Sequence, residues 1–159
     1  MFTNDTSNLL RNLSMKWDKR FLGLAREIST WSKDPSAQIG AVVVNDERRI
    51  LATGYNGFPR GIHDSEQRYH DRETKYKYVV HAEMNAIYNA TFSGTSLNNA
   101  TLFVWGLPVC CDCARGVIQV GIKRIVMPKL EFPDRWVESF RKSRDLFSEA
   151  GVQWYFLDV

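Results

Sequence analysis

Cysteine is scarce in this 159-residue chain: there are three, and all fall within positions 110–113. Thiols so close together cannot staple distant parts of a fold, so a disulfide framework is excluded. In a reducing compartment the cluster reads instead as metal-binding or catalytic. Long apolar runs are missing as well. The longest strictly apolar stretches reach only the four residues of AVVV, far short of the roughly 20 that a membrane span requires. The opening MFTNDTSNLL lacks a basic-then-apolar signal pattern, so a cytoplasmic protein with no membrane partner is expected. An excess of one charge is also missing, since 21 basic residues against 18 acidic ones leave a formal charge of +3. Without a run of like charges, broad nucleic-acid binding is not expected. The basic surplus from Lys123 to Arg144 reads as solvated helix faces, with a phosphate contact as the alternative.

The chain does have the composition of a soluble globular protein, 44% hydrophobic and 25% charged. Its length suits one domain, residues 1–159, with a core that needs no cross-links. Trp17, Phe21, Leu24, Ala25 and Ile28 recur at helical spacing and predict a first helix over residues 14–32. After the proline turn KDPS, the stretches QIGAVVVND and RILATGYN read as a hairpin. Residues 57–77 read as a long polar loop of the kind that carries function. Helices are then predicted at about 80–91, from the cysteine cluster to about 121, and at 134–150. Strands are predicted at ATLFVWG, KRIVMP and VQWYFLD, with Gly151 as a left-handed helix stop. Strands alternating with helices after an initial hairpin imply an α/β protein: a mixed sheet of about five strands in a three-layer α/β/α arrangement.

The chemistry is concentrated in two short segments. VVHAEMNAIYNA is an apolar helical stretch that places His81 and Glu83 near its start, where alanine would make fewer demands. A catalytic zinc ion takes three protein ligands and keeps a fourth position for water, and one imidazole with two thiolates is a common set. His81, Cys110 and Cys113 supply such a set for one zinc ion. The C-x-x-C spacing lets a loop-to-helix turn aim both sulfurs at one point, where the helix N-terminus helps stabilise thiolates. Glu83, which is not a ligand, is then placed to carry a proton between the metal-activated water and a leaving amine. Cys111 reads as a bystander. Either half of the pattern alone is a weak signal; H-A-E, a strand, and C-x-x-C at a helix start together match the signature of zinc-dependent nucleobase deaminases.

The sequence resembles the cytidine and deoxycytidylate deaminase superfamily, and more closely its deoxycytidylate (dCMP) deaminases. The resemblance runs through SKDPSAQIGAVVV, GYNGFPRGIHD, HAEMNAI, CCDCARGVIQVGIKRIV and the terminal EAGV. It implies a cytidine-deaminase-like fold and hydrolysis of dCMP to dUMP with release of ammonia. It also implies His81, Cys110 and Cys113 as zinc ligands with Glu83 as proton shuttle, and a homo-oligomer, hexameric in the family. One departure stands out: the family's proline directly before the first cysteine is replaced by Val109, with Pro108 one position earlier. The rival readings are a zinc-dependent deaminase of another base, such as a tRNA adenosine or a modified or free cytosine, and a zinc-stabilised binding module without catalysis.

Candidates for substrate contact follow from the same resemblance and from residue type. Asn56, at the end of the second predicted strand, corresponds to an asparagine that reaches the sugar in similar deaminases. Asn45 lies at the hairpin turn, which asparagine suits on its own account. Lys33 precedes the DPS turn and is a candidate for a monophosphate, while Trp105 and Trp136 offer flat faces for base stacking. The glycine-rich GYNGFPRG, with Gly54, Tyr55, Gly57 and Gly61, suits close backbone approach to a ligand. In dCMP deaminases a similar segment is tied to activation by dCTP and inhibition by dTTP, so these triphosphates are the expected effectors.

Overall fold

The computed structural model describes residues 4–159, with side chains from Met15 onward. The expectation drawn from the opening stretch falls in part on residues 1–3, outside those described. The chain forms α1 (Asn4–Ser29), β1 (Gly40–Val44), β2 (Ile50–Tyr55), α2 (Glu66–His70), α3 (Arg72–Tyr78), α4 (Ala82–Phe92) and β3 (Thr101–Trp105). It continues through α5 (Cys111–Gln119), β4 (Arg124–Pro128), a 3-10 turn (Asp134–Trp136), α6 (Val137–Ala150) and β5 (Gln153–Leu157). No helix among the described residues is long and apolar enough to cross a membrane.

The five strands make one sheet in the order β2-β1-β3-β4-β5. The β1–β2 hairpin and the β1–β3 pair are antiparallel, while β3–β4 and β4–β5 are parallel, as hairpin and helical crossovers respectively require. Successive side chains on β1 point to opposite faces. Ala41 and Val43 join Leu102, Val104, Ile125 and Met127 in one core beneath α4, α5 and α6. Val42 and Val44 join Phe103, Val126 and Leu157 in the other, beneath Leu22, Ala25 and Ile28 of α1. The sheet is therefore buried on both faces, and the three-layer mixed sheet expected from the alternation is present.

Two close approaches fix the layers. A Cβ on Gly40 would stand 2.0 Å from Ala25 O, so α1 lies directly on the backbone of β1. A Cβ on Gly54 would stand 2.4 Å from both Ala82 O and Ala86 N, so the first turns of α4 lie directly on β2. Asn85 Nδ2 and Asn89 Nδ2 on that helix donate to the β2 carbonyls of Tyr55 (2.7 Å) and Thr53 (2.8 Å).

Boundaries agree with expectation except in two places. The first helix ends at Ser29 rather than near residue 32, where Thr30 and Trp31 close a turn onto Glu27 O and Ile28 O. The segment 57–77, expected as a loop, contains α2 and α3. Their starts are capped by Ser65 and Asp71, whose side chains accept the backbone N–H of Arg68 and of Glu73 and Thr74. Gly151 closes α6 in the left-handed region (φ 73°), as expected.

Candidate metal centre and its cavity

His81 is the N-cap of α4 and Cys110 the N-cap of α5, so the two helix starts meet beyond the C-terminal ends of β2 and β3, beside the N-terminal end of β1. Their approach is close because Gly116 on α5 leaves room for Met84 of α4, whose sulfur would lie 2.7 Å from a Cβ there. The cysteine loop is pinned from α6. Ser143 Oγ donates to Val109 O at 2.8 Å, and Cys111 N donates to Ser139 Oγ at 3.0 Å. Val109, in the family's proline position, is fully buried.

Cys110 Sγ and Cys113 Sγ each lie 3.4 Å from His81 Nδ1, and the three ligand atoms fall within 4.8 Å of one another. Tetrahedral zinc at ordinary Zn–S and Zn–N lengths separates sulfur from nitrogen by about 3.6 Å. The donor set therefore fits zinc in number, type and spacing. Cys113 N also donates to Cys110 Sγ at 3.4 Å, as a thiolate at a helix start requires.

Among the protein groups alone, a hydrogen bond from the Cys113 thiol, together with one to His81, holds Cys110 down at about 4 against the opposing effect of burial. The same bond to Cys110, with burial, pushes Cys113 up. His81 is raised to about 9, chiefly by its bond to Cys110. Glu83, on the first turn of α4, is 4% exposed and pushed up to about 7, first by burial and then by the negative charge of Cys110. A carboxyl that holds or releases a proton near neutrality is suited to general acid–base work.

His81, Glu83 and Cys110 line a cavity of about 310 Å3. Its walls come from the turn after α1 (Asp34, Ala37), from Asn56 after β2, from α2 and α3 (Tyr69, Lys75) and from the 3-10 turn (Trp136). Asn56 is buried and held on every side. Its Oδ1 accepts from Ile39 N (2.8 Å), and its Nδ2 donates to Ala37 O (2.8 Å) and, more weakly, to Asp34 Oδ2 (3.5 Å). Trp136 lines the cavity, and its indole N–H is buried without a partner among the described residues.

The remaining sequence candidates lie elsewhere. Lys33 is exposed and paired with Asp64 at 2.9 Å, outside the cavity lining. Asn45 uses its Oδ1 within its own turn, accepting from Glu47 N and Arg49 N at 3.1 and 2.9 Å. Trp105 packs on the α1 face of the sheet, away from the metal donors, with the Arg26 guanidinium 5.1 Å above its ring. Gly54 serves helix packing, Gly57 pairs with Val80 through backbone bonds of 3.1 and 2.8 Å, Gly61 is left-handed (φ 78°), and Tyr55 meets Trp31 edge to face at the surface.

Sequence reasoning missed the charges that α3 brings to this cavity, Lys75 and Arg72, while Arg135 before α6 fell within the basic surplus whose alternative reading was a phosphate contact. No local motif marks them; reading 57–77 as two capped helices would have shown that α3 presents Arg72, Lys75 and Tyr76 at helical spacing.

The family model for the cytidine and deoxycytidylate deaminase zinc-binding region matches residues 15–129. The chain belongs to that family. Among curated relatives, the uncharacterized deaminase in the luxG 3' region of Aliivibrio fischeri is 41% identical over 148 residues, 91% of this chain and 97% of that protein. The deoxycytidylate deaminase of Homo sapiens is 36% identical over 143 residues, 87% of this chain and 78% of that protein. Among solved structures, the dCMP deaminase of cyanophage S-TIM5 in complex with dCMP and dUMP superposes with a TM-score of 0.72 at 26% identity. That match covers 89% of this chain and 97% of the phage chain. The likeness extends through both halves of the metal centre, and the family's zinc region contains the His81, Cys110 and Cys113 donors.

Proposed function

We propose that the protein is a zinc-dependent hydrolase that deaminates dCMP to dUMP and ammonia, with residues 1–159 working as one catalytic domain. The observation that carries this is a buried Glu83, its carboxyl raised to about 7, beside the His81, Cys110 and Cys113 donor set in a cavity of about 310 Å3. Relatives and a solved neighbour named as dCMP deaminases support the choice of base and sugar.

His81, Cys110 and Cys113 would hold the zinc ion, which would supply a water acid enough to lose a proton near neutral pH. Glu83 takes that proton at its carboxylate and gives it to N3 of the cytosine ring as the amine-bearing carbon is attacked. It then takes the remaining proton of the added hydroxyl and passes it to the exocyclic nitrogen, so that the C–N bond breaks, the carbonyl forms and ammonia leaves. Burial suits Glu83 to both roles, because among the protein groups alone it raises the carboxyl from the ordinary carboxylate range toward neutrality. Asn56, rigid between Ala37, Asp34 and Ile39, offers its remaining acceptor capacity to the sugar. Trp136 walls the base side of the cavity.

Two further parts of the reading rest on the family. Exposed Tyr88 and Phe92 on α4, with Ile50 on the edge strand β2, offer apolar surface for a homo-oligomer, which light scattering reads directly. Response to dCTP and dTTP is tested by steady-state kinetics with each triphosphate. The substrate itself is tested by ammonia release from dCMP, CMP, cytosine, dCTP and a tRNA; dCMP is expected to give the highest kcat/KM, and a higher value for any other member would replace the reading.

A further inference from the structure

Five acidic or basic side chains of the Asp, Glu, Lys and Arg types line the cavity: Asp34, Glu83, Arg72, Lys75 and Arg135. Asp34 and Lys75 cancel. Lys75 Nζ lies 3.1 Å from Asp34 Oδ1 and 3.1 Å from Ser36 Oγ, and the two side chains are only 11% and 6% exposed. Asp34 is further committed to its own turn, accepting from Ser36 N at 2.8 Å. Glu83 belongs to the metal centre. Arg72 and Arg135 are therefore left as cavity cations with no carboxylate partner among the described residues.

They reach the cavity from separate elements, Arg72 from the first residue of α3 and Arg135 from the 3-10 turn before α6. Each guanidinium rests over an aromatic ring that lines the same cavity: Arg72 Cζ is 5.3 Å from the ring centre of Tyr76, and Arg135 Cζ is 5.8 Å from that of Trp136. Such stacking engages the flat face of the guanidinium; Arg72 also gives one Nη2 N–H to Tyr76 Oη in a long bond of 3.5 Å, and the other N–H groups of both side chains have no carboxylate partner among the described residues. Depth is ordered as well. His81 and Glu83 are covered, whereas Arg72 and Arg135 are exposed at the rim. A nucleotide with its amine at the metal centre would carry its phosphate outward, toward that rim.

We infer that Arg72 and Arg135 clamp the phosphate monoester of the substrate and thereby set the choice of nucleotide over nucleoside. The inference rests on the dCMP reading above. Two uncompensated cations match the charge of a phosphate monoester, which is close to −2 at neutral pH. The planar fork of each guanidinium fits a pair of phosphate oxygens. Lys33, the phosphate candidate from the sequence, is engaged by Asp64, and Lys75 is engaged by Asp34 and Ser36.

The test is calorimetric binding of dUMP and of deoxyuridine to the zinc-loaded full chain, to Arg72→Gln, to Arg135→Gln and to the double variant. The ratio of dUMP to deoxyuridine affinity is expected to fall about tenfold in each single variant and about a hundredfold in the double. The preference for dUMP should also weaken with ionic strength in the wild type and lose most of that dependence in the double variant. A variant damaged in its fold or metal centre would bind both ligands less well and leave the ratio where it was, and an unmoved ratio overturns the clamp. If the wild type shows no preference for dUMP over deoxyuridine, the dCMP reading falls and the clamp with it. A wild-type preference that survives in the double variant overturns the clamp alone.

Discussion

Glu83→Gln should make the zinc-stripped protein more stable at alkaline pH, by an amount that vanishes in acid. Glu83 is 4% exposed, and burial with the Cys110 charge pushes its carboxyl from 4.5 up to about 7. An acid whose folded pKa is raised binds more protons in the native state than in the unfolded one, so stability falls as pH rises between those two values. At 1.36 kcal/mol per pH unit, the cost of ionising Glu83 in the fold grows from nothing below about pH 4.5 to about 3 kcal/mol at pH 8. Glutamine has nearly the same shape and no charge to bury. For a chain of this size the variant should therefore melt roughly 6–10 °C above wild type at pH 8, with the two curves converging near pH 4.5. Zinc brings positive charge beside the carboxylate, so loading the metal should narrow the gap. Thermal unfolding of both proteins after chelation, under reducing conditions from pH 4.5 to 8, makes the measurement. A variant less stable than wild type at pH 8, or a difference that does not change with pH, would refute the burial argument.

Other substitutions separate ligands from bystanders and packing from recognition. Cys113→Ser should lose bound zinc by elemental analysis and lose deamination with it, whereas Cys111→Ala, which keeps the backbone N–H bond to Ser139 on α6 and removes no metal donor, should retain both; full zinc occupancy in Cys113→Ser would contradict its place in the donor set. Gly54→Ala places a Cβ 2.4 Å from backbone atoms of Ala82 and Ala86. It should destabilise the fold by about 1–3 kcal/mol and reduce kcat/KM by shifting the helix that carries His81 and Glu83. An unchanged melting temperature would show that α4 is free to move.

What the sequence revealed depended on whether the signal was local. The strand AVVV, the hairpin and the left-handed stop at Gly151 follow from alternation, turn chemistry and helix capping, each complete within a few residues. The metal donors were legible because H-A-E and C-x-x-C each mark a helix start, and the fold needs only to bring two such starts together. The rest of the cavity depends on distant partners. Lys33 looked available beside the DPS turn until Asp64 came alongside it, and Asn45 was already spent on its own turn. Trp105 follows Phe103 by two positions on a strand and so shares its face, beneath α1; counting from that residue would have placed it away from the metal. Arg72, Lys75 and Arg135 line one cavity only because α3 and the turn before α6 both border it, and no pattern within either segment announces that.

The central claim, that Glu83 moves protons beside a zinc ion held by His81, Cys110 and Cys113, is tested most directly by ammonia release from dCMP, with zinc content measured on the same wild-type and Glu83→Gln samples. Equal zinc in both, near one ion per chain, with turnover roughly 10²- to 10⁴-fold lower in the variant, is the predicted result. Near-normal turnover by zinc-loaded Glu83→Gln would contradict it.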